Sequence, residues 1–159
     1  MGKVLQNIEF NETKNTKEIS IVYTIRSTTL DLILLKTNTK VMPTKYWSKG
    51  DKYVGKQRNP KSGIIEEIIR IRQNSCWEYE TRFNVTSNKM KDHMVYLLDI
   101  FIDEPEYIYE LMNRDDVDID ITFLKKTSDD IVDYEFDSNL FKKALKLSKK
   151  FIFINYTDC

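Results

Sequence analysis

Residues 115–120 read Asp-Asp-Val-Asp-Ile-Asp, the sharpest concentration of potential metal ligands in the 159-residue chain. Alternate aspartates on one strand face stand close enough to share a hard cation such as Mg²⁺. The spacing is not that of a calcium loop, which needs a central glycine and a terminal glutamate. Carboxylates on an outward strand face also keep a sheet soluble and discourage edge pairing, and this solvated-face reading is preferred. His93 is the sole histidine, and the cysteines are Cys76 and Cys159. A general base or zinc site built on one histidine would need partners that the local sequence does not supply, and His93 is expected to face solvent. No G-x-S-x-G elbow, phosphate loop or dinucleotide fingerprint is present among only four glycines. These residues point to no catalytic residue, metal or cofactor, so a non-enzymatic role is expected.

Charge distribution says more than charge total. Twenty-five basic and twenty-five acidic residues cancel. Yet Lys36, Lys40, Lys45, Lys49, Lys52, Lys56, Arg58 and Lys61 face only Asp51 within their stretch, while fourteen acids between Asp99 and Asp137 face only Arg114, Lys125 and Lys126. An acidic surface attracts basic proteins and speeds their encounter. The basic stretch 36–61 also holds Tyr46, Trp47 and Tyr53, and aromatics among cations can stack bases and hold phosphates. One such cluster in a neutral chain is a weak footprint for nucleic acid.

Hydrophobic content of 41% and aromatic content of 12% suffice for a core and argue against disorder. No signal-peptide pattern and no apolar run of membrane-spanning length is present, so a cytoplasmic protein with reduced thiols is expected, without a membrane partner. A polar leader over 1–16 is read as preceding one domain over 17–159.

The elements that must position these groups follow from periodicity. Ile19, Ile21, Tyr23 and Ile25 alternate as a half-buried strand. A short helix follows over Leu30–Lys36, with Leu30, Ile33 and Leu34 on one face. Residues 37–63 read as a basic loop punctuated by Pro43, Gly50, Gly55, Pro60 and Gly63. Ile64–Arg72 has Ile pairs at a spacing that also suits a helix, but its β-branched content favours a strand in a hairpin with Cys76–Val85, placing Arg70 and Arg72 opposite Glu78 and Glu80, and Trp77, Tyr79, Thr81 and Phe83 on one apolar face. A helix from Thr86 or Ser87 to about Asp103 carries Met90, Met94, Leu97, Leu98 and Phe101. Pro105 then starts a helix to Asn113. Strands follow over Val117–Phe123 and Ile131–Phe136, then a helix capped by Asp137 or Ser138 and a last strand, Phe151–Tyr156. The expected fold is α+β: a mainly antiparallel sheet with about three helices on one face, its strand–helix units recurring as in ferredoxin-like folds.

Pro43-Thr44, Trp47, Gly50-Asp51 and the strand-opening Trp77-Glu78-Tyr79, with the closing Leu140–Lys149 helix and Phe151–Tyr156 strand, resemble the signature of a bacterial family, domain-of-unknown-function family four-two-seven-nine. The resemblance spans about residues 20–156. It implies a small α+β domain without an established enzymatic activity, some relatives of which look like immunity proteins encoded beside polymorphic toxins. It also implies that Trp47 and the Pro-Thr turn pin the basic stretch to the sheet. The expected function is therefore a non-catalytic immunity-type module that binds a basic toxin domain. The candidate partner-binding residues are Asp103, Glu104, Glu106, Tyr107, Tyr109, Glu110, Asp116, Asp118 and Asp120. The alternatives are a nucleic-acid-binding accessory protein using 36–61 and a metal-dependent hydrolase using Asp115–Asp120.

Overall fold

A computed structural model describes residues 18–32, 35, 39–126, 134 and 137–156. The expected leader over 1–16 and the strand expected over 131–136, Tyr134 apart, lie outside them, as do Cys159 and part of the short helix over Leu30–Lys36. The central element is β1 (Ile19–Ser27). It pairs antiparallel with β5 (Ser75–Glu80) on one side and with β6 (Val117–Lys126) on the other. β2 (Lys45–Trp47) extends the sheet beyond β5, and β7 (Lys150–Tyr156) lies parallel to β6, giving the order β2-β5-β1-β6-β7. A parallel neighbour needs a crossover, and α3 (Ser138–Ala144) lies within it. Asp137 caps α3 as expected, its side chain accepting from the Asn139 N–H at 2.7 Å.

Period two and register place Ile21, Tyr23 and Ile25 beside Tyr79 and Trp77 of β5 and beside Ile119, Ile121 and Phe123 of β6. All these side chains are buried in one core. Helix α1 (Met90–Ile100) covers that face with Met94 and Leu97, α2 (Pro105–Met112) with Ile108 and Leu111, and α3 with Ala144. Tyr23, Trp77, Tyr79 and Phe101 pack mostly edge to face, with Tyr23 and Phe101 centroids 4.8 Å apart. The Tyr23 hydroxyl is satisfied at depth by donating to the Leu147 carbonyl at 2.7 Å. The architecture is the expected one: α+β, three helices among the described residues and a mainly antiparallel sheet.

The stretch read as a loop holds two strands. Beyond β2, β3 (Lys52–Arg58) pairs with β4 (Ile65–Ile71) in a separate two-stranded ribbon. The segment 64–72 is thus a strand, but its partner is β3, and Arg70 faces Tyr53 rather than Glu78 or Glu80. The turn chemistry explains the choice. Asn59 accepts the Lys61 N–H on its side chain, Gly63 takes φ +70°, and the Asn59 N–H reaches the Ile64 carbonyl at 2.8 Å. Residues 59–63 therefore close a hairpin, and Gln73-Asn74 only link the ribbon back to the sheet.

β5 also ends earlier than its alternation suggests. At Thr81 the chain enters a 3-10 turn over Thr81–Phe83, because the Thr81 carbonyl accepts the N–H groups of Asn84 and Val85. Phe83 consequently leaves the apolar face and is exposed. Helix α1 starts at Met90, later than Thr86 or Ser87. Ser87 stays outside it, accepting the Lys89 N–H and donating to Asp92.

Candidate protein-binding site

The Pro-Thr turn fixes the sheet edge. The Thr44 N–H and hydroxyl both donate to the Glu78 carbonyl, and the hydroxyl accepts the Glu80 N–H. Nearby, Arg72 lies between two rings, 4.2 Å from the centroid of Trp47 and 3.8 Å from that of Tyr53. Two of the aromatics considered for base stacking are thus engaged by the chain's own guanidinium, a cation–π clamp at the base of the ribbon.

Among the groups singled out for chemistry, His93, Asp116 and Asp120 are engaged by partners within the chain. His93 does not face solvent; it is fully buried. Its Nε2–H donates to the Ser87 carbonyl at 2.9 Å, which leaves Nδ1 to accept from the Thr81 hydroxyl at 2.7 Å. That hydroxyl in turn accepts the Ile21 N–H at 2.9 Å, so the imidazole ties α1 to β1 through the 3-10 turn. Helical spacing carried the signal: His93 lies three residues after Met90 and four before Leu97, on the apolar stripe of α1, whereas Asp92 does not. Cys76 is a free, buried thiol whose pKa burial pushes up to about 12, far from a reactive thiolate at neutral pH.

The aspartate run is divided rather than assembled. Asp116 accepts two bonds from Arg114, at 2.9 and 2.7 Å, and one from the Thr29 hydroxyl. The Arg114 guanidinium and then the Thr29 hydroxyl hold its carboxyl well below the usual carboxylate range. Asp118 is exposed. Asp120, expected on a solvated face, is buried and paired with Arg26 at 2.5 Å, and it also accepts from Thr122. Its register explains this: Thr24 of the central strand lies opposite it, so Asp120 sits within the sheet and not at an edge. No cluster of three metal-ligating side chains occurs among the described residues. The polar sheet face is therefore not simply solvated, since Ser20, Thr24, Cys76, Glu80 and Asp120 on it are all buried.

Around the start of α2, Asp103, Glu106 and Glu110 are exposed. Phe101 is buried below the turn, and Ile108 and Leu111 anchor the helix to the core. Pro105 at its first turn needs no N–H partner there. Helical spacing then turns Glu106, Tyr109 and Glu110 outward. Asp103, Glu104, Glu106, Tyr107 and Glu110 line one open depression of about 420 Å³. Lys40 restrains its rim: its N–H donates to Glu104 at 2.8 Å, and its ammonium lies 3.8 Å from Asp103. Of these acids Glu106 lies in the first turn of α2, where the helix dipole favours a negative charge. Ile102 and Tyr109 add exposed apolar surface beside it.

Fold and surface together define a small α+β domain with a helix-covered sheet, a projecting ribbon and an acidic depression on one helix. Residues 17–158 match the family model described as Domain of unknown function (DUF4279), and the chain belongs to that family. No curated protein and no solved structure matches it. Among the described residues no helix is long and apolar enough to cross a membrane.

Proposed function

We propose that this chain is a non-catalytic binding module, an immunity-type protein that acts in the cytoplasm by covering a basic surface of a bacterial toxin. The observation that carries the reading is the depression at α2, where Asp103, Glu104, Glu106 and Glu110 converge beside Tyr107. A nuclease must hold phosphate, so its active surface is basic and complementary to such a site. Tyr107 and Tyr109 supply the aromatic anchors that commonly dominate binding energy at interfaces. Further support comes from the internal hydrogen bonds and ion pairs that already engage His93, Asp116 and Asp120.

The test is a pull-down and titration with the toxin domain encoded beside the gene for this chain. Stoichiometric binding that inhibits the toxin, and that Glu106→Lys with Glu110→Lys weakens, is the expected result. An active toxin in the presence of excess protein would remove the proposal.

A further inference from the structure

The ribbon carries the largest group of uncovered aliphatic side chains in a single described element pair. Alternation and register put Lys52, Val54, Lys56 and Arg58 of β3 on one face with Ile71, Ile69, Glu67 and Ile65 of β4. Val54, Ile65, Ile69 and Ile71 are 53% to 75% exposed. A two-stranded ribbon without a covering layer is marginal in water, and contiguous apolar surface of this kind marks an interaction site. Its base is held by the Arg72 clamp and by two backbone bonds, Gly50 N–H to Arg72 carbonyl at 2.9 Å and Arg72 N–H to Asp51 carbonyl at 2.8 Å. A held base and an uncovered face describe an arm that reaches toward another surface.

The sign of the charge selects that surface. The apolar face is framed by Lys52, Lys56 and Arg58 against the single acid Glu67. Packed against its own copy, it would bring like charges together. The α2 surface offers the complement: exposed Ile102 and Tyr109 beside the depression lined by Asp103, Glu104, Glu106 and Glu110. The chain's net charge is zero, so two copies meet without overall repulsion while their opposed patches attract.

We infer that the ribbon docks on the acidic α2 surface of a second copy of this chain, in a two-fold dimer where each arm grips the other subunit. The size suffices. Seven residues per strand give an arm about 24 Å long and about 10 Å wide. Two reciprocal contacts then bury about 1,000 Å² in total, the lower limit for a specific interface. Two-fold symmetry makes the contact self-closing, so it yields a dimer and not a filament. The inference uses the acidic surface of the proposed function but needs no toxin. Self-association without toxin binding, or the reverse, therefore separates the two readings.

Sedimentation equilibrium of the full chain at about 50 mM and about 500 mM salt tests it. A dimer at low salt that dissociates at high salt is expected. Lys52→Glu with Lys56→Glu, and separately Glu106→Lys with Glu110→Lys, each weaken self-association about tenfold or more. Mixing the two swapped proteins restores a dimer, because every arm then faces an opposite charge. Ile65→Ser with Ile69→Ser, which leaves all charges in place, weakens it to a similar degree. Circular dichroism identical to the unaltered protein confirms that each variant is folded. A monomeric unaltered protein at low salt, swapped variants that stay dimeric, or a mixture that stays monomeric would overturn the inference. So would a monomer whose toxin binding is lost on Ile69→Ser, since the arm would then belong to the toxin complex.

Discussion

β1 places Ile19, Ile21 and Ile25 in the core, whereas β4 leaves Ile65, Ile69 and Ile71 in water. The two strands draw on the same aliphatic residue, and both have an antiparallel partner. What separates them is a third layer. β1 has strands on both sides and helices across one face, while β4 has only β3. Isoleucine in a strand reports a face that needs covering; whether the cover comes from the same chain depends on what else the fold places there. The contrast marks the central sheet as scaffold and the ribbon as surface.

Substitution should expose this difference most strongly at the aromatic cluster. Trp77→Ala removes a fully buried indole packed against Tyr23 and Phe101 and is expected to cost about 3–5 kcal/mol in urea unfolding. Ile69→Ala, measured at high salt, should change stability by less than about 0.5 kcal/mol. Comparable losses at the two positions would abolish the distinction between scaffold and surface.

His93→Ala should cost about 1–3 kcal/mol, because it strips partners from the buried Thr81 hydroxyl and from the Ser87 carbonyl. Thermal unfolding followed by circular dichroism measures this. An unchanged midpoint would mean that the imidazole does not join α1 to β1.

A smaller effect sharpens the picture of the polar sheet face. Burial raises the Glu80 pKa, and the attraction of Arg82, 2.8 Å away, opposes that shift without cancelling it. A carboxyl whose folded pKa exceeds its unfolded value favours folding below the unfolded pKa, and that contribution is lost as pH rises through the folded pKa. Glu80→Gln should therefore unfold at a higher temperature than the unaltered protein at pH 7, with the gap closing as acid protonates Glu80. A gap that widens on acidification would reverse the assigned sign.

The core was legible in the sequence wherever polar residues alternate with apolar ones at the period of the element, as at Ile19–Ile25, Val117–Phe123 and the α1 stripe, although the polar side of β1 is itself buried. β3 was not, since Lys-Tyr-Val-Gly-Lys-Gln-Arg has no apolar alternation and its strand state rests on the turn at Asn59–Gly63 and on β4. Local charge matching assigns β4 the wrong hairpin partner, because Arg70, Arg72, Glu78 and Glu80 are close in sequence while β1 and β2 occupy both edges of β5. At the candidate site, the run of acids between Asp99 and Asp137 pointed to the exposed Glu106 and Glu110 of α2. It did not anticipate that Asp120 would turn inward to Arg26, because that depends on a partner 94 residues away.

The most direct test is the association rate of the proposed partner, a basic toxin domain, with the unaltered protein, with Glu106→Lys/Glu110→Lys and with Asp118→Lys, measured by stopped flow at low salt. If the α2 depression is the docking surface, the double reversal slows association about tenfold or more and Asp118→Lys slows it far less. An association rate untouched by the double reversal, or one lowered equally by Asp118→Lys, would contradict a partner-binding site at α2.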